Sequence, residues 1–405
     1  MSRPFPYRLY LFALLGWTFD FYDLVLFGFL KEPISRDLHL SGTEETWLLG
    51  VALGTSGLGG IVSGALADRY GKRTLLSVTI LLYSAGALMT GLAHSLLAVL
   101  LARAVVGLGV GGEWAIGHGM LAEAVDPARR GRASAALQSG EPLGVALAAV
   151  AGYVIMPRVG WRWVMVGSSV TALLALFVRA SVHLPDERSQ APVRMRDLRR
   201  ARVGKVLFLA WVLGVFKLGT YWSCYTWLPG FLTKEMHQPL GRSLGWMITA
   251  QFGQLSGMVT FGFIADRLGR RPAFSMFSVL TALAIAPLAF AWEWLSLHPF
   301  AFWAAMFCLG FGSGCTAGFG ALLAELFPTE VRSAAMGATY NLARTVQLGA
   351  PVLVGYGVIT YGLSGGLAVP LVFSLATASW VWTLPETRGI ALPSLASASP
   401  PLASK

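Results

Sequence analysis

Asp20 and Asp23 stand three residues apart in an apolar run, so on a helix they share a face. Two carboxylates held together away from water repel, which favours a form in which a proton sits on one of them; such a pair can load and release a proton. Arg103, Lys217 and Arg344 are also embedded in apolar stretches. An ionisable side chain near a bilayer centre costs about 2.5–3.5 kcal/mol on insertion scales, so each calls for a partner or a task. A guanidinium beside Asp23 would hold it ionised until a proton displaces it, or would form a permanent salt bridge fixing one helix to another. Glu113, a further acid in the same stretch as Arg103, is expected to belong with Asp20, Asp23 and Arg103 to the proton-coupling group.

Lys217, Tyr221 and Tyr225 recur at intervals of four, placing an ammonium and two phenols on one stripe that suits an anionic, oxygenated ligand. Tyr340, Arg344 and Gln347 share another face, with Asn341 adjacent. Arg344 offers the planar fork that fits a carboxylate, or a structural partner for an acid such as Glu141. Gln138 with Glu141, and Gln251 with Gln254, are pairs three apart that could line the same cavity. Glu141 precedes Pro142, where a broken helix would free backbone carbonyls. Trp114 and His118 share a face; His118 reads either as a proton relay or as a hydrogen-bonded packing residue.

Other chemistries lack their context. The six histidines are scattered and the three cysteines lie in apolar stretches, so neither a metal site nor a disulfide framework is expected. No cofactor is expected beyond a proton gradient as energy source, and enzyme activity is not expected. Gly107, Gly109 and Gly112 match a dinucleotide fingerprint but follow no strand. Gly241-x-Ser243-x-Gly245 and Gly362-x-Ser364-x-Gly366 fit a nucleophile elbow only by spacing.

The elements that must position these residues are membrane spans. Of 405 residues, 55% are hydrophobic and 13% charged, against roughly 25% charged in soluble proteins. Apolar segments of spanning length cover 7–31, 45–67, 74–94, 97–121, 133–156 and 161–182, then 204–233, 243–264, 272–292, 298–324, 333–360 and 362–384. This predicts an all-α integral membrane protein of twelve transmembrane helices in two pseudo-symmetric six-helix bundles. The domains are 1–182, a basic linker 183–203, and 204–405 with a short tail. With both termini cytoplasmic, the loops on that side carry 22 Lys and Arg against 6 opposite. Topology thus explains the net charge of +11, and nucleic acid is not an expected partner. The expected location is the inner (plasma) membrane, and the expected state a monomer in the lipid bilayer.

The halves repeat. GlyAlaLeuAlaAspArgTyrGlyLysArg at 64–73 matches GlyPheIleAlaAspArgLeuGlyArgArg at 262–271, and AlaGlu with Pro127 and Arg130 is echoed by AlaGlu with Pro328 and Arg332. An internal repeat of this kind marks a two-bundle transporter with its site at the repeat interface. Asp68 with Arg69, and Asp266 with Arg267 and Arg270, fall at helix ends, where ion pairs could latch one bundle to the other or simply set topology. Glu123 with Arg130, and Glu325 with Arg332, would join that layer as a cytoplasmic gate.

The Gly-x-x-x-Asp-Arg-x-Gly-Arg/Lys-Arg loop, present twice, resembles the signature of the major facilitator superfamily. The runs at 16–27, 103–114 and 160–163 resemble the metabolite:proton and sialate:proton symporters, a lactate-permease-like group. That resemblance implies proton-coupled uptake of a small organic anion, a monocarboxylate or related carboxylate, by alternating access. It also places the helix 1 and helix 4 proton couple on Asp23 and Arg103. Gly140-Glu141-Pro142 departs from the antiporter pattern of helix 5. A proton symporter for a neutral, zwitterionic or sugar-like metabolite is the closest rival, followed by an efflux antiporter.

Overall fold

The computed structural model describes residues 6–171, 173, 177, 201–234 and 240–393, and the regular structure among them is helical throughout. In the first half α1 is Tyr7–Asp37, α2 Gly42–Tyr70, α3 Lys72–Gly91, α4 Leu96–Ala124 and α5 Pro127–Val159, and α6 begins at Trp161–Ser168. In the second half α7 is Ala201–Lys234, α8 Leu240–Leu268, α9 Arg270–Phe290 and α10 Pro299–Leu326. Then α11 starts at Arg332–Val346 and α12 covers Ser364–Thr383. The basic linker expected at 183–203 lies, up to residue 200, outside the described residues.

The halves repeat their turns as well as their helices. Gly71 (φ 99°) and Gly269 (φ 114°), the glycines of the repeated loop, make the tight turns before α3 and α9. A side chain would be strained there, which is why the motif needs glycine. Close helix crossings repeat too. A Cβ on Gly111 of α4 would lie 2.1 Å from the Ser56 carbonyl of α2, and one on Gly310 of α10 would lie 1.8 Å from that of Ala250 of α8. Small residues at these crossings let helices pack without side chains between them, as lipid-embedded bundles require. The helix-5 break expected at Pro142 is mild: the chain turns at Ser139, stays helical through Gly140–Val150, and widens to a π-turn at Ala151–Ile155.

Polarity is distributed inside out. Ile359 and Phe300 are 86% and 88% exposed on the outer surface, while Asp20, Arg103, Lys217 and Arg344 are buried. Only an apolar solvent makes that arrangement favourable, so the molecule is a multi-pass membrane protein. Across the pseudo-twofold, α2 packs on α11 and α5 on α8, and the central site lies between these contacts.

Candidate functional site

On α1, Asp23 faces α4 and accepts a 2.8 Å bond from Arg103, with both groups buried and the guanidinium carbon 4.1 Å from the Phe27 ring. The two residues expected to couple are therefore in contact. One helical turn away, Asp20 is fully buried and neither carboxylate oxygen has a partner. From the other half, Arg344 of α11 reaches the same region: its Nη1 and Nη2 are buried and unpartnered, and Arg344 and Asp23 act electrostatically on Asp20, which in turn acts on Glu113. The Arg344 guanidinium lies 5.9, 5.6 and 5.8 Å from the rings of Trp17, Phe21 and Tyr340. An arginine held by ring faces keeps its hydrogen-bond fork free.

A polar chain closes the far wall. Trp114 Nε1 donates to Gln138 (3.0 Å), Gln138 Nε2 donates to Glu141 (2.8 Å), and Gln254 Nε2 donates to the other Glu141 oxygen (3.0 Å). The Tyr221 hydroxyl also bonds Glu141, and the buried Lys217 ammonium acts on it electrostatically. Glu141 thus joins α5 to α7 and α8, and it is not a direct partner of Arg344, one of the two alternatives open from sequence. The Trp114 indole stacks on Tyr340 at 4.0 Å and 11°. Phe21, Glu141, Tyr221, Trp222, Tyr340 and Arg344 border a small cavity with room for about one water, so the site is contracted around its own side chains.

Several expected ligands are occupied elsewhere. The Asn341 amide donates to the carbonyls of Gly111 (2.7 Å) and Gly337 (3.1 Å), and the Gln347 amide to those of Val215 (3.1 Å) and Ala343 (2.9 Å). In this state both amides are spent on helix carbonyls, as a buried donor requires, while the Asn341 Oδ1 stays unpartnered. Gln251 is half-buried, with its Oε1 unpartnered. The side chain of Tyr225 lies outside the described residues. His118 donates from Nδ1 to the Trp114 carbonyl (3.1 Å), and its Nε2 faces a separate small cavity with Arg130 and Ser134. Glu113 is buried with both oxygens unpartnered, and its carboxyl lies against Gly16 of α1. Trp17 and Phe21 are the walls that sequence reasoning missed; their spacing around Asp20, three before and one after, is the signal that could have found them.

The gate on the basic face is assembled differently from expectation. Asp68 accepts from the backbone N–H groups of Ser333 (3.4 Å) and Ala334 (3.1 Å), opening α11. Asp266 accepts from those of Gly131 (2.9 Å) and Arg132 (3.1 Å) in the opening turns of α5. Each motif aspartate therefore caps a helix of the opposite half, where its charge meets the positive end of the dipole. Glu123 pairs with Lys72 (2.5 Å) and Arg332 (2.6 Å), and Glu325 with Arg270 (2.9 Å). Glu123, Arg130, Glu325 and Arg332 thus lie in one layer, with the glutamates paired to other cations than the arginines that follow them in sequence. Arg130 and Arg332 turn back on the carbonyls of Ala122 and Ala324, 3.0 Å each, satisfying helix C-terminal acceptors that have no intrahelical donor. Arg69 and Arg267, expected in the latch, are exposed, and Lys72, Arg132 and Arg332 take their place. The tail joins in: Glu386 accepts from the Arg270 N–H (2.8 Å) and Arg130 donates to the Ile390 carbonyl (2.9 Å).

A twelve-helix, two-bundle fold with a buried polar centre defines a secondary transporter. The chain belongs to the Major Facilitator Superfamily, whose family model matches residues 9–241 and 238–403. It is a transporter and not an enzyme, and its curated relatives are named as metabolite transporters. A protein of Cupriavidus pinatubonensis described as a probable 4-methylmuconolactone transporter is 31% identical, over 95% of this chain and 91% of that one. The sialic acid transporter NanX of Escherichia coli is 29% identical over 90% of each. The structure of the proton:xylose symporter XylE superposes with a TM-score of 0.75, covering 96% of this chain and 98% of the other at 18% identity, a likeness of fold.

Proposed function

We propose that the chain imports a small organic anion, a monocarboxylate or related carboxylate, together with a proton by alternating access. The observation that carries this reading is a pair of opposite charges at the centre within electrostatic reach of each other: an arginine with two free donors on α11 and an aspartate with two free acceptor oxygens on α1. A substrate carboxylate takes the Arg344 fork; Asp20 then loses its counter-charge and accepts a proton. The loaded centre carries no added charge and can be occluded, whereas a net charge sealed in low dielectric would oppose closure. Aromatic faces around Arg344 favour a flat, unsaturated skeleton, each ring contact contributing about 0.5–1.5 kcal/mol. Lys217, whose charge acts on Glu141, shapes the far wall, and Tyr221 supplies a hydroxyl there.

The Asp23–Arg103 pair ties α1 to α4 and transmits the change at Asp20 into their packing. The positive-inside bias supports a cytoplasmic position for the closed gate. The relatives named for sialic acid and a muconolactone favour acids over sugars. The test is uptake into proteoliposomes with an acidic exterior, comparing labelled benzoate, nicotinate, lactate and a dicarboxylate with sugars and betaine. Accumulation of at least one carboxylate, abolished by a protonophore, is expected. Transport restricted to sugars or betaine would refute the carboxylate reading.

A further inference from the structure

Among the described residues, seven charged side chains are buried at the centre, away from the gate: the acids Asp20, Asp23, Glu113 and Glu141, and the bases Arg103, Lys217 and Arg344. Three acids have a base at hand, in the pairs Asp23–Arg103, Glu141–Lys217 and Asp20–Arg344. Glu113 has none. It is 2% exposed, both oxygens lack a donor, and its carboxyl is pressed to the α1 backbone so closely that a Cβ on Gly16 would lie 1.8 Å from Oε1. The groups around it do not supply a cation. From α1 Asp20 acts on it, it acts in turn on the Tyr83 hydroxyl of α3, on α4 itself Arg103 is spent on Asp23, the middle of α2 carries no charge, and the central cation of α11, Arg344, acts on Asp20. A lone ionised carboxylate in such a place is far costlier than a neutral acid.

We propose that Glu113 keeps its proton throughout the cycle, so that one further proton accompanies each monocarboxylate and transport is electroneutral. The inference rests on the carboxylate reading above. With Glu113 neutral, the empty centre holds three acids and three bases and can return without charge. A bound monocarboxylate adds one negative charge at Arg344, and a single proton on Asp20 restores neutrality. If Glu113 were the carrier, the empty centre would return with an unpaired charge.

The test counts protons. Purified transporter in weakly buffered detergent solution at pH 7 is mixed with benzoate or nicotinate, and a pH indicator reports proton uptake beside the amount bound. One proton per bound carboxylate is expected for the native protein and for Glu113→Gln, which imitates the neutral acid, and none for Asp20→Asn. In proteoliposomes, accumulation should reach about tenfold per pH unit and ignore a valinomycin-set potential. Two protons per carboxylate, loss of proton uptake in Glu113→Gln, one proton still taken up by Asp20→Asn, or uptake driven by the potential would each overturn the proposal. Failure of the native protein to bind either acid would instead remove the carboxylate reading.

Discussion

Arg344 and Asp20 come from opposite bundles, and in the proposed cycle their free donors and acceptors make them the pair on which substrate and proton exchange places. Lysine at position 344 would keep the charge but lose the fork. Arg344→Lys should therefore raise the apparent substrate constant by about 1.5–3 kcal/mol, roughly ten- to hundredfold, with little loss of protein, as read from concentration-dependent uptake beside expression level. Asp23 is different because it is already paired. Asp23→Asn leaves the Arg103 guanidinium buried without its counter-charge, so it should cost about 3–5 kcal/mol in thermal unfolding of the detergent-solubilised protein. Asp23→Asn combined with Arg103→Gln should cost less than the two changes summed, a coupling that a double-mutant cycle measures. The Asp23–Arg103 contact was legible in the sequence because charges are rare in apolar runs and each must find a partner. Trp17 and Phe21 were not, since an aromatic that walls a cavity has the same signature as one that faces lipid or core.

The repeat in the sequence foretold a repeat in the helices, and the glycines show what it preserves. Gly71 and Gly269 take the same left-handed conformation at the same place in each half, because the loop between the second and third helices of each bundle turns in a single residue. Gly71→Ala should destabilise by about 1–2 kcal/mol, visible as a lowered melting temperature, while transport by the folded fraction persists. Helix number and order were readable because twenty apolar residues between charged margins admit little else. The engagement of the Asn341 and Gln347 amides was not legible at this scale. Periodicity placed them beside Arg344, but helical packing put carbonyls of α4 and α7 closer to their amides than any cavity.

For the whole molecule, the gate is a cross-brace between halves. Residue types in the repeated loops identified the layer, yet the partners were swapped, since Glu123 and Arg332 come together only once the bundles are docked. No spacing along one helix encodes a contact made across the pseudo-twofold. Asp266→Ala removes two backbone caps and the Arg132 and Arg270 pairs, at 3.1 and 2.7 Å. It should shift the population towards the state open on the gated, basic face by about 1–2 kcal/mol, a five- to thirtyfold change, measurable by distances between spin labels on the ends of α5 and α8 at that face. Unchanged distances would mean that the brace is incidental to the equilibrium. The exchange of a carboxylate and a proton at Arg344 and Asp20 is tested most directly by benzoate and nicotinate uptake into proteoliposomes, acidic outside, with native protein and Asp20→Asn side by side. Accumulation above equilibrium is expected in the native protein, and only downhill equilibration in the variant. Equal accumulation in both, or native uptake indifferent to the pH gradient, would contradict it.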